Sequence, residues 1–131
     1  MIIVTAQLNK LRMSPKKVRL VLDTVRGLRI ASAEERLLFT KRGAAAPVLK
    51  LLRSAIANAV HNHKARRETL RIASVRADEG AVQKRWRPRA HGRAFPIRQR
   101  MSQITMVLKG EAEGVGGEAA GASEKAEPEK K

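Results

Sequence analysis

KRWRPRAHGRAFPIRQRMSQITMVL, residues 84–108, is the stretch on which the reading of the whole chain turns. Its first seventeen positions carry seven cations, Lys84, Arg85, Arg87, Arg89, Arg93, Arg98 and Arg100, and no acid. The apolar residues among them, Trp86, Ala90, Ala94, Phe95 and Ile97, are too few and too scattered to bury against a domain. On either side the pattern changes. Residues 70–77 and 104–108 are rich in Ile and Val with a partial period of two, which predicts a strand at each flank. Pro88 and Gly92 punctuate the middle. The simplest geometry is a two-stranded arm over about 78–100 with its tip near 88–92. At a rise of about 3.3 Å per residue it reaches roughly 35 Å. A hairpin standing alone is marginal in water, so this one is expected to order when a partner's phosphates neutralise it. The bland alternative is a solvated basic linker. The flanking strands and the central Pro and Gly favour the arm.

Upstream of the arm the chain reads as a small α+β body. Residues 2–8 alternate, with Ile2, Val4, Ala6 and Leu8 on one face, and predict a strand. Ser14 stands at a helix N-cap with Pro15 at the first helical position, and Gly27 closes the segment. Val18, Val21, Leu22 and Val25 form its apolar stripe, and Lys16, Lys17, Arg19 and Arg26 lie away from it. Ser32-Ala33-Glu34-Glu35 has capping-box spacing and predicts a second helix from Ser32 to about Thr40. A third and longest helix is expected over 44–64, with Pro47 tolerated in its first turn and a wide apolar arc from Val48 to Val60. From Gly110 onward the chain turns to Gly, Ala and Glu, with Val115 the one large apolar side chain, and 110–131 is expected to be disordered.

Charge then selects the partner. The 131 residues hold 28 Lys+Arg against 12 Asp+Glu, a net of +16. Residues 110–131 contribute six Glu and three Lys, so residues 1–109 carry 25 basic and six acidic residues, a net of +19. A body so basic calls for a polyanion. Seventeen of the cations are Arg, suited to bidentate phosphate contacts. Phe39, Trp86 and Phe95 are the entire aromatic set, too few for a base-stacking sheet, which leaves recognition of backbone and shape. With no Cys there is no disulfide scaffold, thiolate catalysis or Cys-based zinc site. No apolar run is long enough to cross a membrane and no secretory signal is visible, so neither a membrane nor export is expected.

Catalysis finds little support. His61 and His63 stand two apart on a predicted helix, about 200° from each other, and cannot share one metal ion. His61 falls on the polar face and His63 continues the apolar arc. Glu34 and Glu35 are read as first-turn acids that complement a helix dipole. Asp78 and Glu79 are strand neighbours whose side chains diverge. Neither a paired-carboxylate site nor a phosphate-cradling Gly loop is present. Two further readings stay open at this level, an architectural DNA-binding protein with a basic β-arm and, more remotely, a basic ribonuclease using His61 or His63.

Three stretches carry a resemblance: SPKKVRLVLDTVRG at 14–27, SAIANAVHNH at 54–63, and residues 84–108. Together they resemble the bacterial large-subunit ribosomal protein family numbered twenty-two in the universal scheme. The arm is the most specific, with basic Lys84 ahead of Arg89-Ala90-His91-Gly92-Arg93 and a spacer leading into an apolar strand. One departure is Gln103, where the family usually has His, Asp or Asn. The resemblance implies three helices packed on a small antiparallel three-stranded sheet, a long protruding β-hairpin and no catalytic role or cofactor. It implies a ribosomal domain over 1–109 and leaves 110–131 outside the pattern. As partners it implies 23S rRNA, neighbouring large-subunit proteins and the nascent polypeptide, with no homo-oligomer, in the cytoplasm. The body would lie near the exit-tunnel mouth and the arm along the tunnel wall, supporting subunit assembly. The candidate rRNA-binding residues are Lys16, Lys17, Arg19, Lys84, Arg85, Arg87, Arg89, His91, Arg93, Arg98 and Arg100. Trp86, Pro88, Ala90 and Gly92 are the candidate tip and tunnel-wall residues.

Overall fold

The computed structural model describes residues 1–112. Strand β1 (Ile2–Leu11) is followed by three helices, α1 (Pro15–Val25), α2 (Ile30–Phe39) and α3 (Ala45–His63). A short 3-10 turn, Arg67–Thr69, leads into β2 (Arg71–Pro88), a second at Ala90–Gly92 turns the chain, and β3 (Ala94–Gly110) returns. The strands form one antiparallel sheet in the order β1-β3-β2. The expected α+β architecture is therefore present, and β3, last in sequence, is the central strand.

Alternation puts every second residue of β3 on one face. Ile104, Met106 and Leu108 there are fully buried, opposite Ala77, Val75 and Ile72 of β2. Val4 and Ala6 of β1 complete the layer. The helices cover this face, α1 against β2 and β3 and α3 against β1 and β3, with α2 packed on both helices. Val18, Val21, Leu22 and Val25 of α1 are all inaccessible, as the spacing predicts. The core is aliphatic throughout, from Leu22 and Leu52 to Leu70. None of the three aromatic residues belongs to it.

Several local expectations change. Ser14 occupies the N-cap of α1, but its hydroxyl makes no capping bond; its carbonyl accepts from the Lys17 and Val18 N–H groups. The second helix begins at Ile30, so Ser32 lies inside it and caps nothing. The reason is energetic. A Ser cap stabilises by about 1 kcal/mol, whereas burying an Ile side chain is worth roughly 1.5–3 kcal/mol. Ile30 is core, and its N–H donates to the Leu70 carbonyl. Glu34 accordingly falls past the first turn. Its carboxylate receives Arg67 at 2.7 Å and faces Arg53 at 3.9 Å, tying α2 to α3 and the 3-10 turn. His63 is exposed rather than part of the apolar arc, because α3 ends there and Lys64 turns the chain away in a left-handed conformation.

The body also runs past residue 109. Gly110 is buried and pairs with Ile2. The Glu111 carbonyl accepts the Arg66 N–H at 3.0 Å, and Ala112 bridges Ala65. The expectation of a disordered tail falls, for 113–131, outside the described residues.

Candidate nucleic-acid interface

The arm is a direct continuation of the sheet. β2 and β3 stay paired from the core to a five-residue tip, Val82 opposite Arg100 and Pro88 opposite Ala94 at the two limits. Those seven pairs project about 23 Å beyond the last register shift. An isolated hairpin would have to nucleate its own pairing. Here the body supplies the ladder already formed, and the arm is regular to its end.

Both edge strands bulge where the arm departs. β1 gains a residue between Leu8 and Leu11, where Lys10 takes a left-handed conformation, and β2 gains one between Glu79 and Val82. Central β3 gains no residue at either bulge. Paired bulges bend and twist a sheet, so they set the direction in which the arm leaves. At this level the core face of β3 changes character, from Ile104 to buried Ser102 and then to exposed Arg100 and Arg98. The Ser102 hydroxyl is buried without a hydrogen-bond partner, which marks the edge of the apolar layer.

Cross-strand partners share a face, so the register sorts the arm's side chains. One face carries Lys84 opposite Arg98, Arg100 opposite Val82, and Trp86 opposite Pro96. The other carries Arg85 opposite Ile97 and Arg87 opposite Phe95. Cations thus occupy both faces, each with one large aromatic ring, and every residue from Lys84 to Arg100 is exposed. Trp86 and Phe95 are 66% and 64% accessible. At the tip the Arg89 N–H donates to the Arg93 carbonyl at 2.7 Å, closing the loop. Gly92 has φ +67, the left-handed conformation that only glycine adopts at little cost, and His91 beside it has φ +62. Ala90, His91 and Gly92 form the short turn between Arg89 and Arg93.

The remaining candidates lie on α1. Lys16 and Lys17 are exposed in its first turn, beside the end of β1 that pairs with Ser102 at the arm's root. Arg19 is differently employed. Its Nε and one terminal nitrogen both donate to the Ala77 carbonyl, at 3.2 and 3.0 Å, pinning α1 to β2 just below the arm. The structure therefore brings Lys16, Lys17, Arg19 and the arm's base to one end of the body and leaves the tip residues distant.

Sequence reasoning passed over Arg12, Lys41 and Arg42, which belong to the same end. Met13 Cε lies 3.4 Å from where a β-carbon on Gly43 would sit, so the loop after β1 and the loop after α2 adjoin. Their signal was only a pair of short basic loops, far apart in sequence. A second feature, an open groove of about 930 Å³, lies between α3 and the turn that follows it. Arg53, His61, Arg66 and Arg67 line it together with Glu34 and Glu68. His61 sits there and His63 does not. Among the described residues no cluster of three or more metal-ligating side chains occurs.

Residues 6–109 match the family described as ribosomal protein L22p/L17e. Three relatives, each named large ribosomal subunit protein uL22, show how close the match is. The protein of Mesoplasma florum is 47% identical over 106 residues, covering 81% of this chain and 95% of that protein. That of Desulfitobacterium hafniense strain Y51 is 47% identical over 79% of this chain and 90% of its own length. That of a Synechococcus strain is 50% identical over 76% of this chain and 80% of its own length.

Proposed function

The chain belongs to the ribosomal protein L22p/L17e family, and on that premise we propose that it binds 23S rRNA through its arm and the arm-side end of its body. Its role is that of a structural constituent of the large ribosomal subunit, not of an enzyme. The observation that carries the RNA reading is the two-sided distribution of charge. A protein that rests on the surface of a nucleic acid needs cations on one face alone. Here Lys84, Arg98 and Arg100 project from one face, and Arg85 and Arg87 from the other. Such a rod is neutralised only when phosphates surround it, as they would inside a folded RNA.

In the proposed arrangement Arg89, His91 and Arg93 hold the tip to RNA. Trp86, Pro88, Ala90 and Gly92 line the wall of the polypeptide exit tunnel, where the nascent chain passes. Lys16 and Lys17 bind rRNA at the root. Arg19 positions the arm through Ala77 and offers its remaining donors to a phosphate. Neighbouring large-subunit proteins and rRNA cover the body, which supports subunit assembly. Residues 1–112 act as one unit.

Binding of this kind releases counterions, so affinity falls steeply with salt. Replacing Arg85, Arg87, Arg98 and Arg100 together by Gln is expected to lower the log–log salt slope toward 23S rRNA by roughly three. The variant should also wash from the large subunit during sucrose-gradient sedimentation at a salt concentration that the native chain survives. An unchanged slope and an unchanged wash would remove the arm from the interface.

A further inference from the structure

The chain has three aromatic residues, and all three stand outside the core. Large rings ordinarily dominate cores because each buries 150–250 Å². Two of them, Trp86 and Phe95, sit on opposite faces of the arm. The third, Phe39, is the most exposed, 83% accessible at the last position of α2. It lies two residues beyond buried Leu37, about 200° around the helix, and so points away from the core.

The loop that follows it is cationic, with Lys41 and Arg42 exposed. That loop adjoins the one carrying Arg12, which leads into the first turn of α1 with Lys16 and Lys17. Neither 10–22 nor 36–50 contains an acid; Glu35, exposed one helical turn before Phe39, is the acid that stands beside the ring. A protein partner for an apolar ring would meet the cations of these two adjoining loops, opposed nearby only by the Glu35 carboxylate one turn back. A nucleotide would find complementary chemistry at both of its ends, a π-face for the base and cations for the flanking phosphates.

We propose that Phe39 is a stacking platform for an unpaired nucleobase of the large-subunit rRNA, with Lys41, Arg42 and Arg12 holding the adjoining phosphates. This rests on the rRNA reading above and adds a contact of a different kind at the same arm-side end of the body. The arm recognises backbone from within the RNA, whereas Phe39 takes one base at the body's edge. The body is thereby held in register while the arm is inserted.

The test uses the full chain and naked 23S rRNA, titrated at several salt concentrations. Phe39→Ala is expected to weaken binding by roughly 5- to 150-fold, the range for loss of one base–aromatic stack. The salt slope should not change, because no charge is removed, and Phe39→Trp should restore native affinity. Lys41→Gln with Arg42→Gln should instead lower the slope by about 1.4. Thermal melts should match the native chain, since the ring is outside the core. The Arg85→Gln, Arg87→Gln pair on the arm serves as the reference. If that pair weakens binding and Phe39→Ala does not, the rRNA reading stands and this inference falls. If Phe39→Ala binds naked rRNA normally but fails to join a subunit already holding its other proteins, the ring packs on a protein and the inference is overturned. If neither variant loses affinity, the rRNA reading itself fails and this contact with it.

Discussion

The body and the arm are built on the same two strands and behave as opposite materials. In the body, β3 presents Leu108, Met106 and Ile104 to three helices, and all three are fully buried. Some twenty ångströms on, the same face of the same strand presents Arg100 and Arg98 to solvent. Apart from the bulges at this level, β2 and β3 are paired on both sides of the change. Hydrogen bonding therefore does not distinguish the two regions; water exclusion does. The body is stable because apolar area leaves water. The arm keeps its shape by inheriting a ladder from the body, and its side chains await a polyanion. Such pairing lets a protein extend a strand far beyond its own core, provided the core end is anchored. The Arg19 contact with the Ala77 carbonyl and the two edge bulges supply that anchor and its direction.

The sharpest way to break this comparison is to remove comparable apolar side chains from each region. Leu52→Ala empties a fully buried site on α3 and is expected to cost about 2–5 kcal/mol in urea unfolding. Phe95→Ala removes a larger side chain from the arm and should cost less than about 0.5 kcal/mol. Equal losses would mean that the arm is packed as the body is. A smaller effect tests where the body stops. A β-carbon at Gly110 would lie 2.7 Å from Leu70 Cδ2, inside the contact distance of a buried side chain. Gly110→Val should therefore destabilise by about 1–3 kcal/mol through overpacking. A neutral result would return residue 110 to the tail.

The smallest effect is local to the tip. Gly92→Ala forces a side chain into the left-handed region, a strain of about 1–2 kcal/mol. That strain should speed hydrogen exchange at the Arg89 amide about 5- to 30-fold by opening its bond to the Arg93 carbonyl. The midpoint of global unfolding should stay where it is. A shifted midpoint would show that the tip and the core unfold as one unit.

Much of this division was legible in the residues themselves. The cation run with its central Pro and Gly announced an arm, the flanking Ile and Val announced its strands, and the stripe in 18–25 announced the face that α1 buries. Gly92 was readable as the tip glycine. The misreadings share a cause. Ser32 looked like a cap and Glu34 like a dipole partner because both were judged against near neighbours in the chain. What overrode them came from afar: Leu70 accepting the Ile30 N–H, and Arg67 and Arg53 closing on Glu34. His63 looked apolar because nothing local showed that α3 ends there.

What the amino-acid order determined alone is whatever depends on charge, periodicity and turn chemistry within a few residues: a basic, aliphatic-cored α+β chain with an arm made for phosphates. Tertiary structure decided the rest. It made β3 the central strand, bulged both edges at one level and turned Arg19 inward to hold the arm's root. It also brought the loop carrying Arg12 against the loop of Lys41 and Arg42, which follows an exposed Phe39. These are relations between segments about twenty to more than a hundred residues apart, settled only when burial of the shared core fixes which segments become neighbours.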